Sequence, residues 1–316
     1  AVSYSGMLQA NEACYGKKAI PSYHFENAKV IVSLGADFLG TWLSPTEFSK
    51  QYSVNRKIAG DKPELSRHIH FESMMSMTGA NADERITHRP SEIGKVAIAL
   101  YAALGGEVAA PSISDAKLAA GIKKVADSLL KAAGKALVVC GSNDKNVQVI
   151  INAINSKLGA YGTTIDWSVP VNYRKGNDKE MADLVSKMDA GQVGALLIFG
   201  ANPAYSFYDA GKFRSAINKV KLSVSFGEKM DETTELCNYI IPTHHYLESW
   251  GDAEAKAGHV SFLQPTINSL FKTRYFQTAL LKWAGDTRDY ETYFKEYWKG
   301  KLGGTEEAFN TALQNG

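Results

Sequence analysis

Short apolar runs that end at a glycine recur along the chain. They cover residues 28–34, 136–140 and 195–199 and contain mainly Val, Ile, Leu and Ala, without polar alternation. Runs of this kind are typical of strands buried on both faces, as in a parallel sheet. We expect strands at residues 30–34, 137–140, 196–199 and 222–226, and a fifth at 239–241.

Amphipathic segments lie between these runs. Leu118, Ile122, Val125 and Leu129 recur at three- and four-residue steps, which predicts a helix over residues 115–131. The same spacing predicts helices over residues 147–158 and from Pro90 to about residue 104, and shorter helices over 178–188 and 209–220. Strands that alternate with helices predict an α/β fold, with two Rossmann-like lobes and mainly parallel sheets.

Glycine and proline mark one candidate linker, residues 105–114, which contains Gly105, Gly106 and Pro111. We therefore expect a first α/β lobe over residues 1–110 and a second over 111–286. The tail, residues 287–316, is rich in aromatic and charged residues and suits helices packed on another surface.

The charge is balanced, with 35 basic and 33 acidic residues, and gives no electrostatic case for nucleic acid or an anionic membrane. No apolar run reaches the roughly 18–20 residues of a membrane span. Cys14, Cys140 and Cys237 are far apart, so we expect free thiols and no iron–sulfur cluster held by this chain alone. The chain begins Ala-Val-Ser-Tyr, which suggests a fragment or a processed form.

The strand ends carry the main chemical signal. Ligands of open parallel sheets bind outside the carboxyl ends of the strands. The candidate binding residues there are Gly35, Asp37, Gly141, Asn143, Gly200 and Asn202. The alternative is that the three polar side chains only cap the helices that follow. Neither a Gly-x-Gly-x-x-Gly nor a P-loop motif is present, so ordinary dinucleotide binding is unsupported.

The histidines give a weaker signal. His68 and His70 share one face of an expected strand without a third ligand nearby, and His244 and His245 are adjacent, so a structural role is favoured over metal binding for both pairs. Residues 248–259 are polar and follow a strand. They predict a loop, either at the edge of a site or simply on the surface.

Several segments, in order along the chain, resemble molybdopterin oxidoreductases. Residues 230–242 (MDETTELCNYIIP) with 247–251 (LESWG) are similar to a signature of that family, and residues 200–203 (GANP) to its Gly-x-Asn-Pro turn. Residues 159–162 (GAYG) and the strand from 25 to 37 are similar to two further segments. The departures are equally clear. The family's N-terminal cysteine cluster is missing, residues 2–6 (VSYSG) stand where the molybdenum ligand would fall, and Asp37-Phe38 replaces Asn-Pro.

Residues 3–12, 32–45 and 77–85 also resemble the family of large iron–sulfur subunits of alternative complex III, a bacterial quinol:acceptor oxidoreductase. That resemblance implies a molybdopterin-type half without its cofactor. It also implies iron–sulfur clusters in a second half that is missing here, and a place on the periplasmic side beside multihaem cytochrome and membrane subunits.

We therefore expect a scaffold lobe of a respiratory complex, without an active site of its own. The alternative is a lobe that binds a pterin guanine dinucleotide at the six strand-end residues. A plain small-molecule-binding protein would use the same crevice.

Overall fold

The computed structural model describes residues 3–58 and 64–316. It consists of two compact units. The N-terminal unit contains residues 3–177 and Lys256–Gly258, and the C-terminal unit contains Asp178–Ala255 and His259–Gly316. The boundary between the two units comes directly after Asn177, whereas the sequence predicts a linker at residues 105–114. That segment joins two helices that pack on one sheet, so it is a connection within the N-terminal unit.

The N-terminal unit combines a parallel sheet with helices on both faces. Its elements in chain order are α1 (Ser5–Tyr15), β1 (Ile20–Tyr23), β2 (Val30–Leu34), α2 (Pro45–Val54), β3 (Arg67–Glu72), α3 (Met77–Ala80), β4 (Glu84–Thr87), α4 (Ile93–Ala103), α5 (Ala116–Lys131), β5 (Ala136–Cys140), α6 (Lys145–Lys157) and β6 (Ile165–Val171). The sheet order is β4-β3-β2-β5, and every neighbouring pair is parallel. Strand β1 pairs with β6 in antiparallel fashion.

Alternate residues of the central strands serve two hydrophobic cores, which explains why β2 and β5 are apolar throughout. Val32 and Val138 face α4, α5 and α6 on one side of the sheet. Ile31 and Val139 face α1, α2 and an aromatic group on the other, where the rings of Phe25 and Phe38 stack with centroids 4.3 Å apart. Side chains fix the starts of two helices, because Asp115 and Asp144 accept hydrogen bonds from the first amides of α5 and α6.

The C-terminal unit contains α7 (Asp178–Asp189), β7 (Ala195–Ile198), α8 (Pro203–Ser206), α9 (Ala210–Ile217), β8 (Leu222–Ser225), β9 (Tyr239–Ile240), β10 (Gly251–Lys256), β11 (His259–Leu263), α10 (Phe276–Trp283), α11 (Tyr290–Lys301) and α12 (Glu306–Asn315). Strands β7, β8 and β9 form a parallel sheet. Its core lies between the sheet and helices α7 and α9. Trp250, Phe294 and Phe309 form a second, aromatic core.

The α/β class and the parallel sheets are confirmed, and each strand expected at residues 30–34, 137–140, 196–199 and 222–226 is present to within one residue at either end. The prediction of a loop over residues 248–259 is wrong. Half of this range, Gly251–Lys256, is strand β10, which pairs with β11. Its residues are largely exposed on both faces, so no hydrophobic alternation marks it as a strand. In the described ranges, no helix is both long and apolar enough to cross a membrane.

Candidate functional site

Two of the expected site residues, Gly35 and Gly141, meet at the carboxyl edge of the N-terminal sheet. A Cβ added to Gly141 would lie 2.3 Å from the carbonyl oxygen of Gly35, so only glycine fits there. Gly35 itself has a φ of +64°, a backbone conformation that favours glycine. Its amide donates to the carbonyl of Phe71 at 2.7 Å, and the amide of Gly141 donates to that of Leu34 at 3.0 Å. The two turns therefore continue the sheet and close against each other.

Asp37 connects this edge of the sheet to α3, the short helix after β3. Its Oδ1 accepts hydrogen bonds from the backbone amide and the hydroxyl of Thr78, at 3.0 and 2.7 Å. The Thr78 hydroxyl in turn accepts from the amide of Leu39 at 2.9 Å. Thr78 is fully buried. The carboxylate therefore joins the turn after β2 to the first turn of α3, and it does not cap α2, the next helix along the chain.

Asn143 has a comparable internal role. Its Oδ1 accepts a hydrogen bond from the amide of Gly6, in the first turn of α1, at 2.8 Å. A Cβ at Gly6 would lie 2.0 Å from the Asn143 carbonyl oxygen, so the helix start sits directly on this turn. The neighbouring Asp144 supplies the cap of α6. The cap expected at Asn143 is thus one residue further along the chain.

An ionic network joins β3 to β4, and no pattern in the sequence indicates it. Glu72 contacts His70 through Nε2 at 3.1 Å and pairs with the guanidinium of Arg85. It also accepts a hydrogen bond from the amide of Ser76 at 3.0 Å. Burial by itself would raise the pKa of Glu72, but the bonds from Arg85 and Ser76 outweigh it and hold the pKa below its ordinary value. Glu72 is therefore an ionised structural anchor.

The two histidines of β3 are fully buried beneath this edge. His68 lies 3.2 Å from the hydroxyl of Tyr52 through Nδ1, and burial lowers its pKa to about 3. Burial also lowers the pKa of His70, despite the nearby Glu72. Both imidazoles are therefore neutral near pH 7.

Gly200 and Asn202 belong to the C-terminal unit, where they follow β7. Gly200 has a φ of +62°, and no atom lies within 4 Å of a Cβ built on it. The Asn202 side chain accepts a hydrogen bond from the Thr233 hydroxyl at 2.7 Å and donates one to Glu232, also at 2.7 Å. Asn202 is the residue before α8, but its side chain does not cap that helix.

His244 and His245 have different partners. His244 contacts the hydroxyl of Thr273 through Nδ1 at 2.6 Å, whereas His245 accepts from the amide of Leu247 at 3.3 Å. Within the described residues, no three His, Cys, Asp or Glu side chains are grouped so that they could hold a metal ion. Cys14 is exposed, Cys237 is half-buried, and burial raises the pKa of Cys140 to about 12.

An open depression of about 1040 Å³ lies at the opposite, amino-terminal edge of the N-terminal sheet. Its lining includes Lys29, Lys135, Glu26 and Glu64, and Lys29 pairs with Glu64 at 3.4 Å. The mixed charges indicate no particular class of ligand. The candidate residues, by contrast, are all at carboxyl ends of strands.

No family model matches the chain. It is 22% identical over 307 residues to the menaquinone reductase, molybdopterin-binding-like subunit, of Nitratidesulfovibrio vulgaris, and the match covers 83% of this chain and 44% of that subunit. The chain thus spans less than half the length of this relative.

Two solved structures share the fold. Acetylene hydratase from Pelobacter acetylenicus matches with a TM-score of 0.63 and 11% identity, over 89% of this chain and 50% of that one. A chain of the formyltransferase/hydrolase complex from Methylorubrum extorquens matches with a TM-score of 0.53 and 11% identity, over 85% of this chain and 79% of that one. At this level of identity the structures show the fold alone. Together with the curated relative, they support a relationship of the chain to molybdopterin-type oxidoreductases.

Proposed function

We propose that the chain is a cofactor-free, molybdopterin-oxidoreductase-like scaffold lobe of a membrane-associated respiratory complex that oxidises quinol. The observation that carries the proposal is the internal use of the strand-end groups. The side chain of Asp37 is hydrogen-bonded to Thr78, and that of Asn143 to the amide of Gly6. The side chain of Asn202 is hydrogen-bonded to Thr233 and Glu232. A group that is already paired inside the protein must break that bond before it can hold a ligand.

The residues of the N-terminal edge do not fit a pterin guanine dinucleotide. Glycine turns that bind such a ligand leave room for a phosphate against the backbone. Here the Gly35 carbonyl occupies the space beside Gly141. The nearby guanidinium of Arg85, which could pair with a phosphate, is paired with Glu72.

The curated relative supports the proposed place of the lobe within a complex. The curated relative is a subunit of a menaquinone reductase and is described as molybdopterin-binding-like. With the resemblance to alternative complex III, this supports a location on the periplasmic side of the inner membrane. The partners we propose are a cluster-bearing half and a multihaem cytochrome.

The alternative, a lobe that binds the dinucleotide, is favoured by one observation only. The turn at Gly200 is exposed and open, so a ligand could approach its backbone.

Association with a complex is tested by purifying the tagged natural protein from detergent-solubilised membranes of its source. We expect c-type haem to co-purify, together with quinol-oxidising activity that is lost when the gene is deleted. A protein that elutes alone, from membranes whose quinol oxidation is unaffected by the deletion, would contradict the proposal.

A further inference from the structure

Three methionines that are close together in the sequence are exposed between the end of β3 and the first residue of α3. Met74, Met75 and Met77 expose 82%, 67% and 60% of their surface. The chain has seven methionines in all, and Met7 and Met188 are buried. Apolar side chains that stabilise a fold lie inside it, so this group contributes little to the stability of the unit.

The loop is held in place by the polar residues between and after these methionines. Ser76 donates its amide to Glu72 at 3.0 Å, and its hydroxyl accepts from the amide of Gly79, also at 3.0 Å. Thr78 is bonded to Asp37. Ser76 and Thr78 are thereby fixed toward the protein, while Met75 and Met77 extend into solvent. A ligand of the thioethers would therefore meet a backbone that is already ordered, which lowers the entropic cost of binding.

A histidine lies next to the start of this loop. Thr87 pairs with Glu72 in the parallel ladder, and the amide of the following residue, His88, donates to the Glu72 carbonyl at 3.3 Å. His88 is thus beside Ser73, one residue before Met74. Its Nε2 is buried and has no hydrogen-bond partner among the described residues. Imidazole nitrogens are common metal ligands, and this one makes no hydrogen bond that a metal ion would have to displace.

We propose that Met74, Met75 and Met77 form a binding site for a thiophilic monovalent cation, Cu(I) or its analogue Ag(I). Thioethers are soft, neutral ligands that select Cu(I) over the harder divalent ions, and imidazole is compatible with the same metal. The ionised Glu72 beneath the loop favours a cation, although Arg85 offsets part of its charge. This inference is independent of the function proposed above.

The test is a titration with Ag(I) in chloride-free buffer, followed by NMR of methionine methyl groups labelled with ¹³C. The protein used for this titration carries the substitutions Cys14→Ser and Cys237→Ser, because accessible thiols would bind silver more tightly than thioethers do. We expect the signals of Met74, Met75 and Met77 to shift together and to saturate at one equivalent of silver. The signal of Met230, which is 64% exposed but isolated, serves as the internal control and should stay in place.

Leucine substitutions test whether the thioether sulfurs themselves bind the silver ion. The triple variant Met74→Leu, Met75→Leu and Met77→Leu should lose binding, whereas Met230→Leu should bind as before. Ser76→Ala, which removes the hydroxyl that holds the loop, should weaken binding by about tenfold. Unchanged signals of Met7 and Met188 verify the fold of each variant. Equal affinity of the triple variant, or a shift of Met230 at the same silver concentration, would overturn the proposal.

Discussion

The carbonyl oxygen of Gly35 lies where a side chain on Gly141 would have to go. A Cβ built on Gly141 would be 2.3 Å from that oxygen. These two glycines lie more than a hundred residues apart in the sequence, yet β2 and β5 end side by side and bring them into contact. The contact accounts for Gly141 and the positive φ of Gly35 accounts for the other glycine, without any ligand. At this edge the Gly35 carbonyl therefore occupies the space directly beside Gly141.

Gly141→Ala should destabilise the N-terminal unit by about 1–3 kcal/mol, because two backbones must separate to admit the methyl group. The measurement is pulse proteolysis in urea, with fragments of residues 3–177 identified by mass spectrometry. The control is Gly176→Ala in the same unit. No atom lies within 4 Å of a Cβ there, so a change within about 0.5 kcal/mol is expected. Equal effects of the two variants would show that the contact is unimportant.

Thr78→Val should cost about 1–3 kcal/mol, since it removes one hydrogen bond to the half-buried Asp37 carboxylate and leaves the Leu39 amide without its partner. Thr87→Val changes the same side chain at an exposed position of β4 and should have little effect. Urea unfolding, read by the same proteolysis, compares the two. A stable Thr78→Val variant would mean that water replaces the hydroxyl and that Asp37 is accessible to a ligand.

The buried histidines predict acid sensitivity. The pKa of His68 is about 3 in the folded unit and about 6.5 in the unfolded chain. The unfolded chain therefore takes up a proton first as the pH falls. The stability due to the neutral His68 is present above pH 6.5 and is lost progressively toward pH 3, with a loss of about 2 kcal/mol already at pH 5.

Labelling of Cys140 with a disulfide reagent during urea unfolding reports on this unit at each pH, because that thiol is buried. His68→Gln should flatten the decline between pH 7 and pH 5, although the variant itself is less stable. His259→Gln changes an exposed histidine and should leave the decline as it is. An unaltered slope in His68→Gln would assign the acid sensitivity to other groups.

The sequence predicted the strands well where burial alone decides them. Strand β2 lies at the residues expected, because both of its faces are covered. Strands β4 and β10 were missed, since their residues are partly or fully exposed and show little hydrophobic pattern. Local pattern thus identified β2, where a core selects every residue, and missed β4 and β10, where none does.

The candidate site was predicted in part. The glycine turns lie at the strand ends as expected, but the partners of their polar neighbours could not be foreseen. Thr78 reaches Asp37 across 41 positions of sequence, and Gly6 reaches Asn143 across 137. The pairing of Glu72 with Arg85 likewise depends on the register between β3 and β4, in which Arg85 lies opposite His70. Such contacts depend on topology, which a single sequence does not reveal.

Molybdenum and pterin analysis tests the scaffold proposal most directly. The natural protein at its full length would be produced in cells supplied with molybdate and an active pterin pathway, beside an authentic molybdopterin enzyme as a positive control. Because the strand-end groups are paired internally and the Gly35–Gly141 contact fills the space for a phosphate, we expect neither molybdenum nor pterin in stoichiometric amount. About one molybdenum atom per chain, with its pterin, would contradict the scaffold proposal and establish the binding alternative.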